Sequence, residues 1–387
     1  MKNVCIFTST RADFGLLSNL ILELQKKKIQ TKLIATGTHF SKKFGSTYNE
    51  IKQKKINIDK SVKIKINTNN EIQISNIIAK TIKDISKIIK KIQPKLIIIL
   101  GDRYEIFSIA VAAHLQNLVI AHIHGGELTY GAIDDAFRHS ITKMAHLHFV
   151  TTDEYKKRVI QLGENPKYVF NVGALGVDNI RKISLKDKNS LEKILNIKFN
   201  QKNIILTFHP ETINQSKKKI IKQIDEILSA LKKLKFTSIF ITNPGAEIYS
   251  ELIIKKFKKF SLQNKNCYFF NSLGQENYYS MLNHMDLMIG NSSSGIIEMP
   301  SFKKTTINLG VRQAGRIKSE SVLNTKINKY DILKKIKLAY TKNHLKKINK
   351  TTNPYHMNKT AEKIAKIIKQ IDLKKINRFK KFYDLKQ

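Results

Sequence analysis

The sequence predicts an α/β protein made of two doubly wound domains, each with a parallel sheet covered by helices. The chain has 387 residues, which is more than one compact core of ordinary size accommodates. Short apolar runs alternate with stretches of helical periodicity, the pattern of a parallel sheet, and this alternation starts again after residue 177. We therefore expect a first Rossmann-like domain over residues 1–177, a second over 178–365, and a helical tail over 366–387 that packs back on the first domain.

The expected strands are apolar runs of three to five residues between polar turns. In the first domain they cover residues 4–7, 31–35, 96–100, 118–122 and 148–151; in the second they cover 204–208, 237–241, 268–270, 287–289 and 305–309. A lysine-rich stretch between residues 173 and 200 suits a linker followed by an amphipathic helix. Ligands of open α/β sheets lie at the carboxyl ends of the strands, so we expect the active site in the cleft between the two domains.

The formal net charge of +40 at first suggests nucleic acid or an anionic membrane as a partner. The lysines are instead spread over nearly every polar stretch, together with abundant isoleucine and asparagine, which is typical of a genome rich in A and T. A nucleic-acid surface needs basic residues clustered beside aromatic ones, and no such cluster stands out. We expect no nucleic-acid partner and no membrane partner.

The remaining composition favours a cytoplasmic protein. Cys5 and Cys267 lie in apolar, strand-like runs without a CxxC pair or zinc-type spacing. The N-terminus enters a strand directly and has no long apolar stretch of a signal peptide or membrane span. We expect an unprocessed protein in a reducing compartment, assembled as a homo-oligomer, either a dimer or a tetramer.

Two motifs follow strands of the first domain. In TSTRADFGLL, Arg11 and Asp13 come after the first strand; helix capping explains the hydroxyls and Asp13, while a guanidinium at a helix N-terminus suits a phosphate. Only eight of the 70 cationic residues are arginine, so an arginine is more informative here than a lysine. In GDRYE, Asp102 stands directly at the end of the strand 96–100.

The densest motif is HIHGGELTYGAIDDAFRHSITKMAHLHF. A zinc site is one interpretation, but the histidines lack the HExxH spacing and His146 and His148 alternate with apolar residues. The pair Gly125 and Gly126 allows a substrate to approach the backbone before Glu127. Several carboxylates in one site shift each other's pKa, so that one can act as acid and another as base. We favour acid and base chemistry on a sugar, with a capping role for Asp134 or Asp135 as the alternative.

Three further motifs follow strands of the second domain. His209 in ILTFHPET is a candidate for proton transfer at a strand end. GNSSSGIIEMP indicates a phosphate cradle at a helix start with a ribose-binding carboxylate, although ordinary capping also explains it. Its residues are Ser292, Ser293, Ser294, Gly295 and Glu298. In LGVRQAGR, Arg312 and Arg316 flank a glycine after the strand 305–309.

In their order along the chain, these motifs resemble those of the hydrolysing UDP-N-acetylglucosamine 2-epimerases, which include enzymes of sialic and legionaminic acid synthesis. The matching segments are TRAD, GDRYE, HIHGGE, IDDAFRH, KMAHLHF, QLGE, FHPE, SLGQ, GNSSSGIIE and RQAGR, and they reach to about residue 325. The non-hydrolysing relatives carry EAGLR and PEExNR segments, where this chain has HGGELT and IDDAFRH. The resemblance therefore favours the hydrolysing branch and implies the B-type glycosyltransferase architecture.

For the chemistry, the resemblance implies that a proton leaves carbon 2 of the sugar, UDP is lost to give a glycal, and water adds with inverted configuration. It implies no metal and no nicotinamide cofactor. The matching catalytic positions are Asp102, Glu127, Asp134, His209 and Arg138. The matching nucleotide positions are Arg11, Ser292, Ser293, Ser294, Gly295 and Glu298, with Arg312 and Arg316 as further contacts.

Two segments depart from the pattern. Val311 stands where an acidic residue is expected before RQ, and the turn Asn243-Pro244-Gly245-Ala246-Glu247 replaces one richer in Asn and Asp. In the family that this chain resembles, both segments bear on how the acylamino sugar of the substrate is held. UDP-N,N'-diacetylbacillosamine therefore stays an alternative substrate, and a UDP-sugar glycosyltransferase and a nucleic-acid binder stay alternative functions.

Overall fold

The computed structural model describes residues 3–41, 47–64, 66, 70–213 and 216–385. The chain divides into two compact units. Unit 1 consists of Met1–Glu127, Ile133–Asn179 and Tyr355–Gln387, and unit 2 consists of Leu128–Ala132 and Ile180–Pro354. Each unit has its own parallel sheet, and each is described below by itself.

Unit 1 contains a seven-stranded sheet. Its strands are β1 (Asn3–Thr8), β2 (Gln30–Ala35), β3 (Lys60–Ser61), β4 (Leu96–Leu100), β5 (Ile120–Ile123), β6 (Leu147–Val150) and β7 (Val169–Asn171). Its helices up to the boundary with unit 2 are α1 (Arg11–Lys26), α2 (Tyr48–Gln53), α3 (Glu71–Ile92), α4 (Tyr104–Leu115), α5 (Asp134–Met144), α6 (Asp153–Gln161) and α7 (Leu175–Ile180).

Unit 2 contains a six-stranded sheet. Its strands are β8 (Lys202–Thr207), β9 (Thr237–Thr242), β10 (Cys267–Phe270), β11 (Leu287–Gly290), β12 (Thr305–Leu309) and β13 (Val322–Thr325). Its helices are α8 (Lys188–Leu195), α9 (Lys217–Leu231), α10 (Ser250–Gln263), α11 (Gly274–His284), α12 (Ser294–Ile297), α13 (Lys329–Ala339) and α14 (Lys342–Lys350). A last helix, α15 (Thr360–Gln370), belongs to unit 1.

Both sheets have the strand order of a doubly wound fold, and every pair of neighbouring strands is parallel. The order is β3-β2-β1-β4-β5-β6-β7 in unit 1 and β10-β9-β8-β11-β12-β13 in unit 2. The winding direction therefore reverses between β1 and β4 in one sheet and between β8 and β11 in the other. Such a reversal leaves a crevice at the carboxyl ends of the two strands, where ligands of this fold bind. The predicted fold class, two doubly wound α/β domains, is confirmed.

The apolar runs became strands because both faces of each sheet are covered. All five residues of β4 are buried, as are all five of β12, which is why a continuous apolar run, and not an alternating one, marks these strands. Three short strands were not predicted: β3, with two residues, and β7 and β13, which have mixed burial. They lie at sheet edges, where the apolar signal is weakest.

The C-terminal part differs from the sequence expectation. The second domain was expected to reach residue 365, but α15 packs in the core of unit 1, where Ala361, Ile364, Ala365 and Ile368 are buried with Leu17 and Leu20 of α1. Their spacing of three and four residues forms one apolar face on the helix. The expected helical tail ends with α15, because the side chains of Asp372 and Asn377 accept hydrogen bonds from backbone N–H groups two residues later, a local bond that competes with helix formation.

Among the described residues, no helix combines the length and apolarity needed to cross a membrane.

Candidate functional site

Arg138 gathers the carboxylates at the carboxyl edge of the sheet in unit 1. It lies one turn into α5 with 1% of its side chain exposed. Its Nη2 forms an ion pair with Asp102, which follows β4, and its Nη1 donates to Asp135 Oδ1 at 3.1 Å and to the backbone carbonyl of Glu127 at 2.8 Å. A buried guanidinium needs its charge paired and its N–H groups used. Three separate segments are thereby fixed around one side chain.

Glu127 closes the loop that follows β5 and is 1% exposed. Its Oε1 lies 3.0 Å from His124 Nδ1 and accepts a hydrogen bond from the Thr151 hydroxyl at 3.2 Å. The loop can turn this sharply because His124 and Gly126 have φ values of +70° and +78°. A Cβ atom at Gly126 would also lie 2.6 Å from the Tyr155 carbonyl oxygen, so this position accepts only glycine. The result is a buried carboxylate paired with an imidazole, which is an arrangement suited to proton transfer.

The other residues singled out in unit 1 lie in different environments. Asp13 forms a capping box with Thr10 and accepts hydrogen bonds from the N–H and hydroxyl of Ser9, so its role is structural. Arg11 is the first residue of α1, at the carboxyl end of β1 and thus beside the crevice next to β4. Asp134 is the first residue of α5 and is half-buried. Its neighbour Asp135 makes the contact with Arg138.

A second polar cluster lies in unit 1 around Glu164, which is 2% exposed. Its carboxylate contacts His148 Nε2 at 2.9 Å, Lys143 Nζ at 2.8 Å and Lys380 Nζ at 2.7 Å. Burial opposes ionisation of Glu164, but the hydrogen bond from His148 and the nearby ammonium groups lower its pKa to about 2. Glu164 is therefore ionised at neutral pH.

The buried histidines beside this cluster are neutral. Burial lowers the pKa of His122 to about 3 and that of His146 to about 4, and it also lowers the pKa of His148. His122 Nε2 donates to the carbonyl of Gly101 at 2.8 Å, directly before Asp102. The alternation of these histidines with apolar residues reflects β5 and β6, where His122 and His148 are register partners. Over the described residues, no three His, Cys, Asp or Glu side chains are grouped so that they could hold a metal ion.

In unit 2, His209 lies at the carboxyl end of β8, as expected. Its backbone N–H donates to Asn291 Oδ1 at 2.7 Å, which ties it to the segment after β11 across the reversal point of the sheet. Its Nδ1 lies 3.3 Å from Glu247 Oε1, and Arg312 Nη2 donates to the same oxygen at 3.1 Å. Glu247 thus links His209 to Arg312, although the sequence marked it only as part of an unusual turn.

The GNSSSG segment follows β11 in the expected place but does not begin a long helix. The helix α12 has four residues, and Glu298 is its C-cap. The reason is Pro300, which stands two residues later within a turn of 3-10 helix and cannot donate to an α-helical ladder. The macrodipole argument for a phosphate therefore does not apply here, because it needs a longer helix. The side chains remain arranged by contacts: Tyr278 donates to Ser294 Oγ at 2.8 Å and Tyr279 donates to Glu298 Oε1 at 3.4 Å.

The other residues predicted to bind the nucleotide in unit 2 lie on the same segment or on the loop after β12. Ser292 and Ser293 are half-buried, and the Ser292 hydroxyl accepts from the Ser294 N–H at 3.3 Å. Gly295 is tightly packed, since a Cβ atom there would lie 2.6 Å from a methyl of Thr306. Arg316 is half-buried.

The segment Leu128–Ala132, which directly follows Glu127, belongs to unit 2. The Tyr130 N–H donates to the Ala314 carbonyl at 3.2 Å, and the Gly131 carbonyl accepts from the Thr212 N–H at 3.1 Å. A Cβ atom at Gly131 would lie 2.6 Å from the Cα of Arg312. Within unit 2, this segment therefore packs against the loops that carry His209 and Arg312.

Sequence reasoning missed several polar residues of these sites. Thr151, Glu164 and Lys380 were given no role, while Asp135 was considered only beside Asp134 and Glu247 only as part of a turn. Glu164 stands in the matched QLGE segment and Asp135 beside the chosen Asp134, so both offered a signal. Thr151 and Lys380 contact residues far away in sequence, and only the fold brings those partners together.

The comparisons with known proteins point to one family. The family model described as UDP-N-acetylglucosamine 2-epimerase matches residues 22–369. The polysialic acid biosynthesis protein P7 of Escherichia coli is 38% identical over 390 residues, which cover 100% of this chain and 98% of that protein. The hydrolysing GDP/UDP-N,N'-diacetylbacillosamine 2-epimerase of Campylobacter jejuni is 39% identical over 332 residues, which cover 85% of this chain and 86% of that enzyme.

Among solved structures, the UDP-GlcNAc 2-epimerase of Neisseria meningitidis bound to UDP-GlcNAc superimposes with a TM-score of 0.81. The likeness covers 96% of this chain and 100% of that one at 20% identity, which establishes the same fold. The family model and the relatives confirm the family predicted from the motifs. The chain belongs to the UDP-N-acetylglucosamine 2-epimerase family, in its hydrolysing branch.

Proposed function

We propose that the protein converts UDP-N-acetylglucosamine and water into N-acetylmannosamine and UDP. The observation that carries this proposal is the Arg138 centre, where Asp102, Asp135 and the Glu127 backbone are held by one buried guanidinium. An epimerase that inverts carbon 2 needs one group to remove a proton and another to return one on the opposite face. Several carboxylates fixed around one sugar ring meet that need without a cofactor.

In this mechanism a carboxylate of unit 1 takes the proton from carbon 2, and the carbon 1 to oxygen bond to UDP breaks. The electron pair of the broken C–H bond forms the double bond of a glycal, and UDP leaves with the pair of the C–O bond. Water then adds its hydroxyl to carbon 1, and carbon 2 gains a proton on the other face. Glu127 is suited to proton transfer because His124 shares its Oε1 at 3.0 Å. Arg138 holds Asp102 in place beside it.

Unit 2 is proposed to hold the nucleotide. Glu298 would accept hydrogen bonds from ribose hydroxyls, while Ser292, Ser293 and Ser294 offer hydroxyls to the diphosphate. His209, supported by Glu247, is proposed to face the leaving phosphate, since His209 and the serine segment are joined by the Asn291 side chain. Arg11, Arg312 and Arg316 supply cationic groups, which suit the charge that develops on departing UDP.

The test is to incubate the protein with UDP-N-acetylglucosamine and to follow free UDP and the sugar by NMR. Free UDP with N-acetylmannosamine is the expected result.

Glu127→Gln and Asp102→Asn should abolish turnover and leave the Kd for UDP nearly unchanged, because both act at the sugar. Glu298→Ala should instead weaken UDP binding by about 1 to 3 kcal/mol through the lost ribose contact. UDP-N-acetylmannosamine without release, or transfer to an acceptor, would refute the proposal.

A second substrate, UDP-N,N'-diacetylbacillosamine, is favoured by one observation. The Campylobacter jejuni relative whose name specifies this sugar is 39% identical. Val311, which is exposed, and the 243–247 turn also depart from the expected pattern. Assaying both UDP-sugars in parallel separates the two candidates, because the preferred one should have the higher kcat/KM.

A cytoplasmic location fits this function, because UDP-sugars are made there. Cys5 and Cys267 are free thiols and both are buried. Burial raises the pKa of each thiol to about 12, so neither forms the reactive thiolate at neutral pH.

A further inference from the structure

The segment after α15 is anchored on unit 1 by its aromatic residues. The Tyr383 N–H donates to the Gly163 carbonyl at 2.9 Å. The ring of Phe382 lies against Gly163, where a Cβ atom would come within 2.3 Å of the ring, and Lys143 Nζ lies 5.0 Å from the ring centroid. These contacts fix the chain just after Lys380, whose side chain is 20% exposed.

Lys380 places its ammonium group at the C-terminal end of α5. Its Nζ donates to the carbonyls of Thr142 at 3.4 Å and Lys143 at 2.5 Å. The last carbonyls of a helix lack partners within the helix, and a cation stabilises them and the negative end of the helix dipole. The other end of the same helix carries Asp134, Asp135 and Arg138. Lys380 therefore fixes the helix that holds the carboxylate centre.

The same ammonium group also pairs with the buried carboxylate of Glu164, at 2.7 Å. Glu164 contacts His148 on β6, and His148 is the register partner of His122 on β5. His122 in turn lies 3.1 Å from the Thr142 hydroxyl and 2.8 Å from the Gly101 carbonyl, the residue before Asp102. Lys380 thus reaches the carboxylate centre along two routes, through α5 and through β6 and β5.

We propose that Lys380 is a positioning residue for the epimerisation: its ammonium group, brought by the C-terminal segment, holds α5 and Glu164 so that Arg138 keeps the carboxylates in their reactive arrangement. This inference rests on the proposed function. It assigns a role to the part of the chain beyond residue 325, where no motif marks a functional residue.

The charge of Lys380 sets a pH dependence. Burial lowers the pKa of Lys380 to about 8, although Glu164 opposes this shift. The groups that face it are Glu164, Lys143, His146 and His148; the histidines are neutral at this pH and Glu164 is ionised. Above about pH 8, Lys380 loses its proton and with it the charge that pairs with Glu164. An arginine at this position stays charged throughout the range.

The experiment compares wild type with Lys380→Arg, Lys380→Met and the control Lys381→Met, which removes the exposed neighbouring lysine. UDP release is followed from about pH 6.5 to about pH 10, the range in which a group with this pKa titrates. Wild-type kcat should fall above about pH 8, whereas Lys380→Arg should hold its kcat. Lys380→Met should lower kcat by roughly ten- to a hundredfold with KM little changed, and without the alkaline step. The control should match wild type in every respect.

Either a wild-type kcat in Lys380→Met or an alkaline step that persists in that variant would overturn the proposal. A second measurement needs no activity: hydrogen–deuterium exchange of residues 138–145 should rise in Lys380→Met and stay unchanged in Lys381→Met. Unchanged exchange in Lys380→Met also overturns the proposal. If wild type releases no UDP, the proposed function fails by itself, and the exchange data still decide whether Lys380 holds α5.

Discussion

At the scale of single residues, the chemistry depends on how Arg138 distributes one charge among three partners. Its planar guanidinium has N–H groups in a fixed fork, so two nitrogens can serve Asp102, Asp135 and a carbonyl together. Lysine carries the same charge as a point on a flexible stem. It can pair with one carboxylate but cannot hold two carboxylates and a carbonyl in fixed positions.

We expect Arg138→Lys to lower kcat by about a hundredfold while the Kd for UDP stays within a factor of two, because misplacement by about 1 Å costs that much in rate. Steady-state kinetics and calorimetric titration with UDP measure the two quantities. Arg378→Lys, the same substitution at an exposed arginine, is the matched control. An Arg138→Lys enzyme with wild-type kcat would show that the fork geometry is not needed.

The sequence predicts the candidate site residues mainly from one property, their position beside a strand. Asp102 and Glu127 come directly after β4 and β5, so the sequence placed them at the carboxyl edge of the sheet. Glu164, Glu247 and Lys380 act through partners that are distant in sequence, such as the pair Lys380 and Glu164. Periodicity and local motifs carry no information about such pairs.

At the scale of elements, the central strands of this fold are easier to predict than its edge strands and the ends of its helices. Central strands such as β4 are buried on both faces and appear as uninterrupted apolar runs. Edge strands are short and partly exposed, and α12 ends after four residues because Pro300 follows it, so a macrodipole predicted from the sequence does not form there. The sequence assigned the first part of α15 to the second domain, because an amphipathic helix shows that it packs but not against which sheet.

We expect the packing of α15 to contribute strongly to unit 1. Ile364 is fully buried among residues of α1 and β1, so Ile364→Ala should cost about 2 to 5 kcal/mol through lost burial and a cavity. Calorimetric unfolding, with amide exchange in α1 as the local reporter, measures the loss. Ile72→Ala, at an isoleucine that is 73% exposed, should change stability by less than about 0.5 kcal/mol. Equal effects of the two substitutions would argue against core packing of α15.

At the scale of the whole molecule, a net charge of +40 is combined with buried histidines that must stay neutral. His122, His146 and His148 all have lowered pKa values, first of all because they are buried. When the chain unfolds, these imidazoles reach water and can take up protons near their ordinary pKa. As the pH falls, proton uptake by these imidazoles therefore favours the unfolded chain. This uptake begins at a higher pH than the protonation of the carboxylates.

For His122 this linkage gives a quantitative expectation. The folded-state pKa is about 3, and that of the unfolded chain is the ordinary value of about 6.5, so the stabilisation is present above about pH 6.5 and is lost as the pH falls towards 3. At about pH 5 the loss from this one group is about 2 kcal/mol. His122→Gln keeps hydrogen-bonding groups but cannot titrate, and its unfolding free energy in urea should fall correspondingly less between about pH 7.5 and about pH 5. A variant with the same loss as wild type would mean that His122 already binds its proton in the folded protein, and that its ring is not held neutral against the Gly101 carbonyl.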